Sequence, residues 1–290
     1  MYIHSYGKFI GTPVDDMKYY KEDVSRFTRL RFRRANRFVM ISLAGACRCV
    51  HGSEIEADTA VYLTTENGNL GDTETVLHQI FHKREFPMPY NFINTMSNTA
   101  SYYVAQTLNL SGRNITFSSK HLSFERGLEL LQCDLSGGAV RQALIGGVDE
   151  AVFSKAQFEN RLQQPYEAYR MVEGSSWLLV KARREGAVGG IPSIASAGNF
   201  SRVLEWLDRQ ALSKPLVLSY GFLVNSQERR EIEALFPQAE DLDYISELGY
   251  WDSATAGGMA LFLERFESAT LVHVNKDSRG QFVTTLVEKY

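Results

Sequence analysis

Apolar positions along the chain fall into two alternating registers. Short runs rich in β-branched and aromatic residues at 2–10, 59–64, 115–118 and 143–146 have the length of strands. Between them lie runs with helical spacing at 24–49, 73–83, 94–108 and 122–135. Pro87 and Pro89 force an extended loop, because each fixes its own φ and drives its predecessor away from helix. After residue 151 the pattern begins again. It predicts strands at 177–182 and 191–197, a helix at 200–210, a strand at 216–219, a helix at 227–235 and a strand near Tyr244. A helix at 253–266 and strands at 269–275 and 282–288 close the chain. This alternation predicts an α/β protein. Its repetition predicts an internal duplication, with halves at 1–150 and 151–290 in one compact domain and no low-complexity linker between them.

Composition narrows the function classes. A length of 290 residues with 44% hydrophobic and 22% charged residues supplies a large core, and no apolar run is long enough to cross a bilayer. The first residues read as a strand without the features of an export signal, so cytoplasmic residence is expected. Cys47, Cys49 and Cys133 are odd in number and fit no closed zinc site, which reads as buried free thiols. The formal net charge of -3 argues against nucleic acid as a partner. Against that charge stands one basic stretch, Arg26, Arg29, Arg31, Arg33, Arg34 and Arg37, read either as a solvated helix face or as a docking surface for an acidic partner. His78 and His82 lie four apart on a helix without an adjacent Glu or a third ligand, and read as surface residues. No cofactor, metal or membrane insertion is expected.

The candidate chemistry lies where a strand meets a helix. Gly112-Arg-Asn-Ile-Thr-Phe-Ser-Ser-Lys-His121 runs into a tight turn and a helix, and the next strand ends at Gly146-Gly147-Val-Asp-Glu-Ala. The Gly-Gly pair lacks the spacing of a phosphate loop. Together with Arg33-Arg34, Phe92-Ile-Asn-Thr-Met-Ser-Asn98 and Leu110-Ser-Gly112, in that order, the chain resembles the β-ketoacyl synthases of the thiolase-like fold along nearly its whole length. Gly221, Glu231-Ile-Glu-Ala-Leu-Phe236 and Thr255-Ala-Gly-Gly-Met259 resemble the family's C-terminal half more weakly.

The resemblance implies a shortened, duplicated thiolase-like fold of five layers, α-β-α-β-α. It places His121 at the nucleophilic cysteine, Tyr220 and Trp251 at the two catalytic histidines, and Ser246 at the lysine before the second. Asn275-Lys-Asp-Ser-Arg-Gly280 stands in for the family's glycine-rich closing loop. An imidazole in the nucleophile position would form a readily hydrolysed acyl-imidazole, and an indole only donates a hydrogen bond, so elongation by this chain is not expected.

The resemblance points instead to chain length factors, the non-catalytic subunits of type II polyketide and aryl polyene systems. These pair with an active β-ketoacyl synthase and serve chains carried on an acyl carrier protein. It implies a heterodimer formed along Asn114, Ile115, Thr116, Phe117 and Ser118, with Met96, Thr99, Tyr102 and Tyr103 at the end of the partner's acyl tunnel. Two other functions stay open at this point. One is altered chemistry at His121, as a malonyl-carrier decarboxylase or an acyl hydrolase; the other is a homodimeric acyl-binding module.

Overall fold

The computed structural model describes residues 1–212 and 215–290. Its ten strands are β1 (Tyr2–Gly11), β2 (Ala60–Thr64), β3 (Asn114–Phe117), β4 (Gln142–Asp149), β5 (Glu173–Lys181), β6 (Gly189–Ala197), β7 (Leu216–Tyr220), β8 (Glu240–Asp241), β9 (Thr270–Lys276) and β10 (Phe282–Lys289). They pair in the order β3-β2-β4-β5-β1-β6-β10-β9-β7-β8. The first five strands thus lie in the order 3-2-4-5-1, and the second five repeat that order in mirror sequence. In each half the fifth strand, β5 or β10, runs antiparallel to both its neighbours, while β2 and β7 lie parallel to theirs. The two halves meet through β1 and β6 at only two residue pairs, Tyr2 with Gly190 and Ile3 with Gly189. The strand Glu173–Lys181, which comes after residue 150 in the chain, pairs with β1 and β4.

Strand periodicity accounts for the layers. Successive residues of β2 and β4 point to opposite faces, so Ala60, Tyr62, Ala143 and Ile145 enter one apolar cluster while Val61, Leu63 and Leu144 enter another. The first of these clusters is shared. It also takes Val217, Leu271 and Val287 from the second half and residues of the helices Ser123–Ser136 and Thr255–Arg265, which lie between the two half-sheets. The helix Arg37–Val50 covers the outer face of the first half, and the helix Phe200–Asp208 covers that of the second. Helix, sheet, helix, sheet and helix make the five layers of a thiolase-like fold.

Several local expectations are corrected. The single helix expected at 24–49 is two, Met17–Ser25 and Arg37–Val50, and residues 26–36 are neither helix nor strand. No acidic residue lies between Asp23 and Glu54 to relieve repulsion among the arginines, and Asn36 restarts the helix by accepting a hydrogen bond from Val39 N at 2.8 Å. The basic stretch is therefore an exposed loop rather than a helix face. Pro89 opens a short helix, Pro89–Asn94, because proline fits the first helical position, and the helix expected from 94 onward begins instead at Asn98. Tyr244 lies in no strand; it begins the helix Tyr244–Leu248, which Asp243 caps. β3 ends at Phe117, so Ser118 stands outside the strand. Cys47 and Cys49 are buried thiols as expected, but Cys133 is exposed.

The last arginine of the stretch turns inward. Arg37 Nε lies 3.3 Å from the fully buried Glu173 and 3.6 Å from Glu150, and the hydroxyl of Tyr20 donates to Glu173. Burial pushes the Glu173 carboxyl up to about 7; the Tyr20 hydrogen bond and the Arg37 charge oppose this, and Glu150 adds to it. An unfolded glutamate titrates near 4.5, so the folded chain holds this proton more tightly between the two values. The stabilisation is complete below the unfolded value and is lost as pH rises through the folded one. Relative to Glu173→Gln, the parent chain is expected to lose about 3 kcal/mol of unfolding free energy between pH 4 and pH 8. Urea titrations of both proteins across that range measure it.

Candidate functional site

His121 sits in a single 3-10 turn, Lys120–Leu122, between β3 and the helix Ser123–Ser136. Lys120 before it takes a left-handed conformation, φ 52°, uncommon for a residue with a side chain. Ser123 holds the turn by accepting from Ser119 N at 2.9 Å and donating to the Lys120 carbonyl at 2.6 Å. The imidazole Nδ1 lies 3.0 Å from Glu66, and both side chains are largely buried.

Glu66 comes from the loop after β2, which Asp149 at the end of β4 organises. The Asp149 carboxylate accepts from Thr65 Oγ1 at 2.7 Å, Glu66 N at 2.9 Å and Asn67 N at 3.1 Å. Glu150 beside it accepts from Gly71 N at 2.8 Å, at the start of the next helix. The Asp-Glu pair after Gly146-Gly147 thus aims the loop that faces His121. The glycines themselves serve packing. A Cβ on Gly146 would lie 2.1 Å from the Trp177 ring, and one on Gly147 would lie 2.7 Å from the Ser253 carbonyl.

Glu66, His121 and Asp252 converge closely enough to suggest a metal site, but Arg161 already occupies the gap between the acids. Its guanidinium pairs with Glu66 and with Asp252, the latter at 2.9 Å. Burial raises the Glu66 carboxyl, but the hydrogen bond from His121 and the charges of His121 and Arg161 outweigh it, leaving the group below its ordinary range. Burial and the Glu66 charge push Asp252 the other way. Arg161, flanked by both acids, stays charged despite its burial. The cluster supplies its own cation, and its donor set does not fit a resident metal ion.

A second buried network backs the turn. Asn275 donates through Nδ2 to the His121 carbonyl at 2.9 Å and to Glu125 at 2.7 Å, which uses both its amide hydrogens. Glu125 also accepts from Thr255 at 2.7 Å and lies 3.5 Å from His273, whose other nitrogen meets Ser219 at 2.8 Å. Asn275, which begins the changed closing segment, therefore has no donor left for a developing oxyanion.

His121, Trp251, Gly221, Asp252, Thr255 and Asn275 line one cavity of about 20 Å³, room for about one water molecule. Trp251 fills much of the space. Its ring lies so close to Gly174 and Gly257 that a Cβ on either would come within 2.3 Å and 2.4 Å of it. Of the four residues expected at the positions of the family's catalytic groups, the structure brings His121 and Trp251 together. Tyr220 does not line the cavity; it packs in the second half's core under Arg229, 5.2 Å from the guanidinium. Ser246 is exposed and hydrogen-bonds Asp243 at 2.6 Å. The sequence reading missed Glu66, Arg161, Asp252, Glu125 and His273. Its available signals were a lone acid in the apolar helix at 125 and a lone histidine in the apolar strand at 273.

The residues proposed for a tunnel end do assemble. Met96, Thr99, Tyr102 and Tyr103 line one surface groove of about 450 Å³ with Arg34 and Tyr90. Among the described residues thirteen large apolar side chains stand exposed, and ten of them lie between Leu77 and Tyr102, which makes this segment an apolar face. β3 flanks this face at the edge of the sheet, tied to it by Ser101 and Thr116, whose hydroxyls are 3.0 Å apart.

No protein-family model and no curated protein matches the chain significantly. Solved structures do. The ishigamide ketosynthase/chain length factor matches with a TM-score of 0.75 at 16% identity, over 92% of this chain and 84% of that one. AntDE:AntF, a type II acyl-carrier protein in complex with its ketosynthase bound to the hexaketide, matches with a TM-score of 0.75 at 11% identity, over 100% and 99%. The ketosynthase ApeO in complex with its chain length factor ApeC from Xenorhabdus doucetiae matches with a TM-score of 0.57 at 12% identity, over 99% and 98%. The fold is that of ketosynthases and chain length factors.

Because the Trp251 ring plugs the cavity, Trp251→Ala is expected to cost about 3–5 kcal/mol of stability. Added indole should recover part of that loss in a thermal melt, whereas a site that collapses around the alanine would show no recovery.

Proposed function

We propose that the chain is a catalytically silent ketosynthase-like subunit, a chain length factor, that pairs through β3 with an active β-ketoacyl synthase. The observation that carries this reading is the filled cavity at His121 beside β3, an edge strand paired on one side only, with β2. Where an acyl chain would need a tunnel there is room for about one water molecule. Among the described residues no strand pairs with the outer edge of β3, an arrangement that favours a partner strand.

The proposed division of labour follows from this. The partner supplies the nucleophile and the acid–base chemistry, and the groove of Met96, Thr99, Tyr102 and Tyr103 borders the acyl tunnel and limits the length of a polyketide or polyene chain. The exposed arginines 26, 29, 31, 33 and 34 provide a positive surface for an acidic acyl carrier protein. No helix among the described residues is long and apolar enough to cross a membrane, which accords with work in the cytoplasm.

The polarity of β3 offers a clean test. Val61 N and Thr65 N donate to the carbonyls of Arg113 and Phe117, so by alternation Asn114 and Thr116 direct their backbone groups to the open edge. Thr116→Pro removes an outward donor and no bond to β2, a placement proline tolerates, and Thr116→Val, which loses the same hydroxyl contact with Ser101 but keeps the N–H, is its control. The chain should stimulate elongation by an active ketosynthase on a malonyl-loaded carrier protein; the folded Thr116→Pro variant should not. Equal elongation with and without the chain would defeat the proposal.

The His121–Glu66 contact favours a second reading, a malonyl-carrier decarboxylase or acyl hydrolase with His121 as base. The filled cavity opposes it, so the isolated chain is expected not to turn over a malonyl thioester. Turnover abolished by His121→Ala would replace the first reading with the second.

A further inference from the structure

The helix Leu70–His78 runs directly into a π-turn, Gln79–Lys83, so that His78 closes the helix and His82 lies on the wider turn. In an α-helix residues four apart are offset by about 40° around the axis, and the i to i+5 bonding of a π-turn reduces that offset. The two imidazoles stand face to face with ring centroids 5.0 Å apart. Both are exposed, and among the described residues neither ring has a hydrogen-bond or ion-pair partner. They line a surface groove of about 440 Å³ with Glu74, Phe81, Val152 and Gln157.

We propose that His78 and His82 form a chelating pair for one divalent transition-metal ion. Imidazole nitrogens bind such ions at about 2.0–2.1 Å, so each ring has to turn out of its stacked arrangement until one nitrogen faces the shared ion. The four-residue spacing already sets both rings on one side of the helix, and rotation of the two exposed side chains is all that binding requires. Water fills the remaining positions. Glu74, four residues before His78 and without an ion-pair partner among the described residues, adds negative charge to the same groove. Two nitrogen donors with water favour copper(II) over nickel(II) and zinc, and exclude calcium and magnesium as natural occupants. Chelation across the junction would also pin the π-turn to the helix that precedes it.

The proposal is independent of pairing with a ketosynthase and is tested on the full chain freed of any histidine tag. Calorimetric titration with nickel(II) or zinc is expected to show one ion per chain, with affinity lowered at least about tenfold in His78→Ala and in His82→Ala, and unchanged in His51→Ala. Substoichiometric copper(II) should broaden the imidazole proton resonances of His78 and His82 before those of the other histidines. Both substitutions lie at the surface, and circular dichroism is the check that the variants fold. The absence of binding, or the same affinity in the His78→Ala, His82→Ala double variant, would overturn the assignment.

Discussion

One buried carboxylate holds the two halves of this protein in register. Glu125, on the helix after β3 and fully buried, is met by Thr255, His273 and Asn275, all from the second half. An unpaired carboxylate at that depth would cost several kcal/mol, so the first half is compatible only with a second half that brings these donors. Burial alone would push the Glu125 carboxyl up; the hydrogen bonds from His273, Asn275 and Thr255 hold it below its ordinary range. Asn275 extends the same constraint to the His121 carbonyl, fixing the turn that carries the candidate site.

This constraint also explains why the site offers so little chemistry. Most of its polar groups are committed to one another, although the buried Trp251 indole N–H has no hydrogen-bond partner among the described residues. Asn275 has spent both amide hydrogens, the His121 Nδ1 faces Glu66, and Arg161 neutralises the acids that would otherwise attract a cation. Trp251 occupies what space is left, held between two glycines. What stays uncommitted lies elsewhere, at the open edge of β3, along the apolar face that ends at Tyr102, and on the arginine loop. The closed interior and the open edge are the two features that support the proposed action through a neighbour.

Much of the fold was legible in the sequence because strand burial writes itself as continuous apolar runs and helix faces as spaced ones. The strand-turn-helix at His121 lies within one residue of its expected place, whereas the strand expected to end at Gly147 runs on to Asp149. The loop at residues 26–36 was not, since arginine is a good helix former and the repulsion among like charges that breaks the helix is not a periodic signal. Tyr244 was misplaced because a five-residue helix is too short to show its spacing. The site was legible only in part. His121 and Trp251 could be placed from their neighbours in the chain, but Glu66, Arg161, Asp252 and His273 meet them only through the duplicated sheet, from sequence separations that no local pattern encodes.

The central claim is partnership, and the most direct measurement is the native mass of what this chain forms when co-expressed with an active ketosynthase. The account predicts a one-to-one complex in which the 32.8 kDa chain is matched by a single ketosynthase subunit. A stable homodimer of this chain, with the ketosynthase recovered separately, would contradict it.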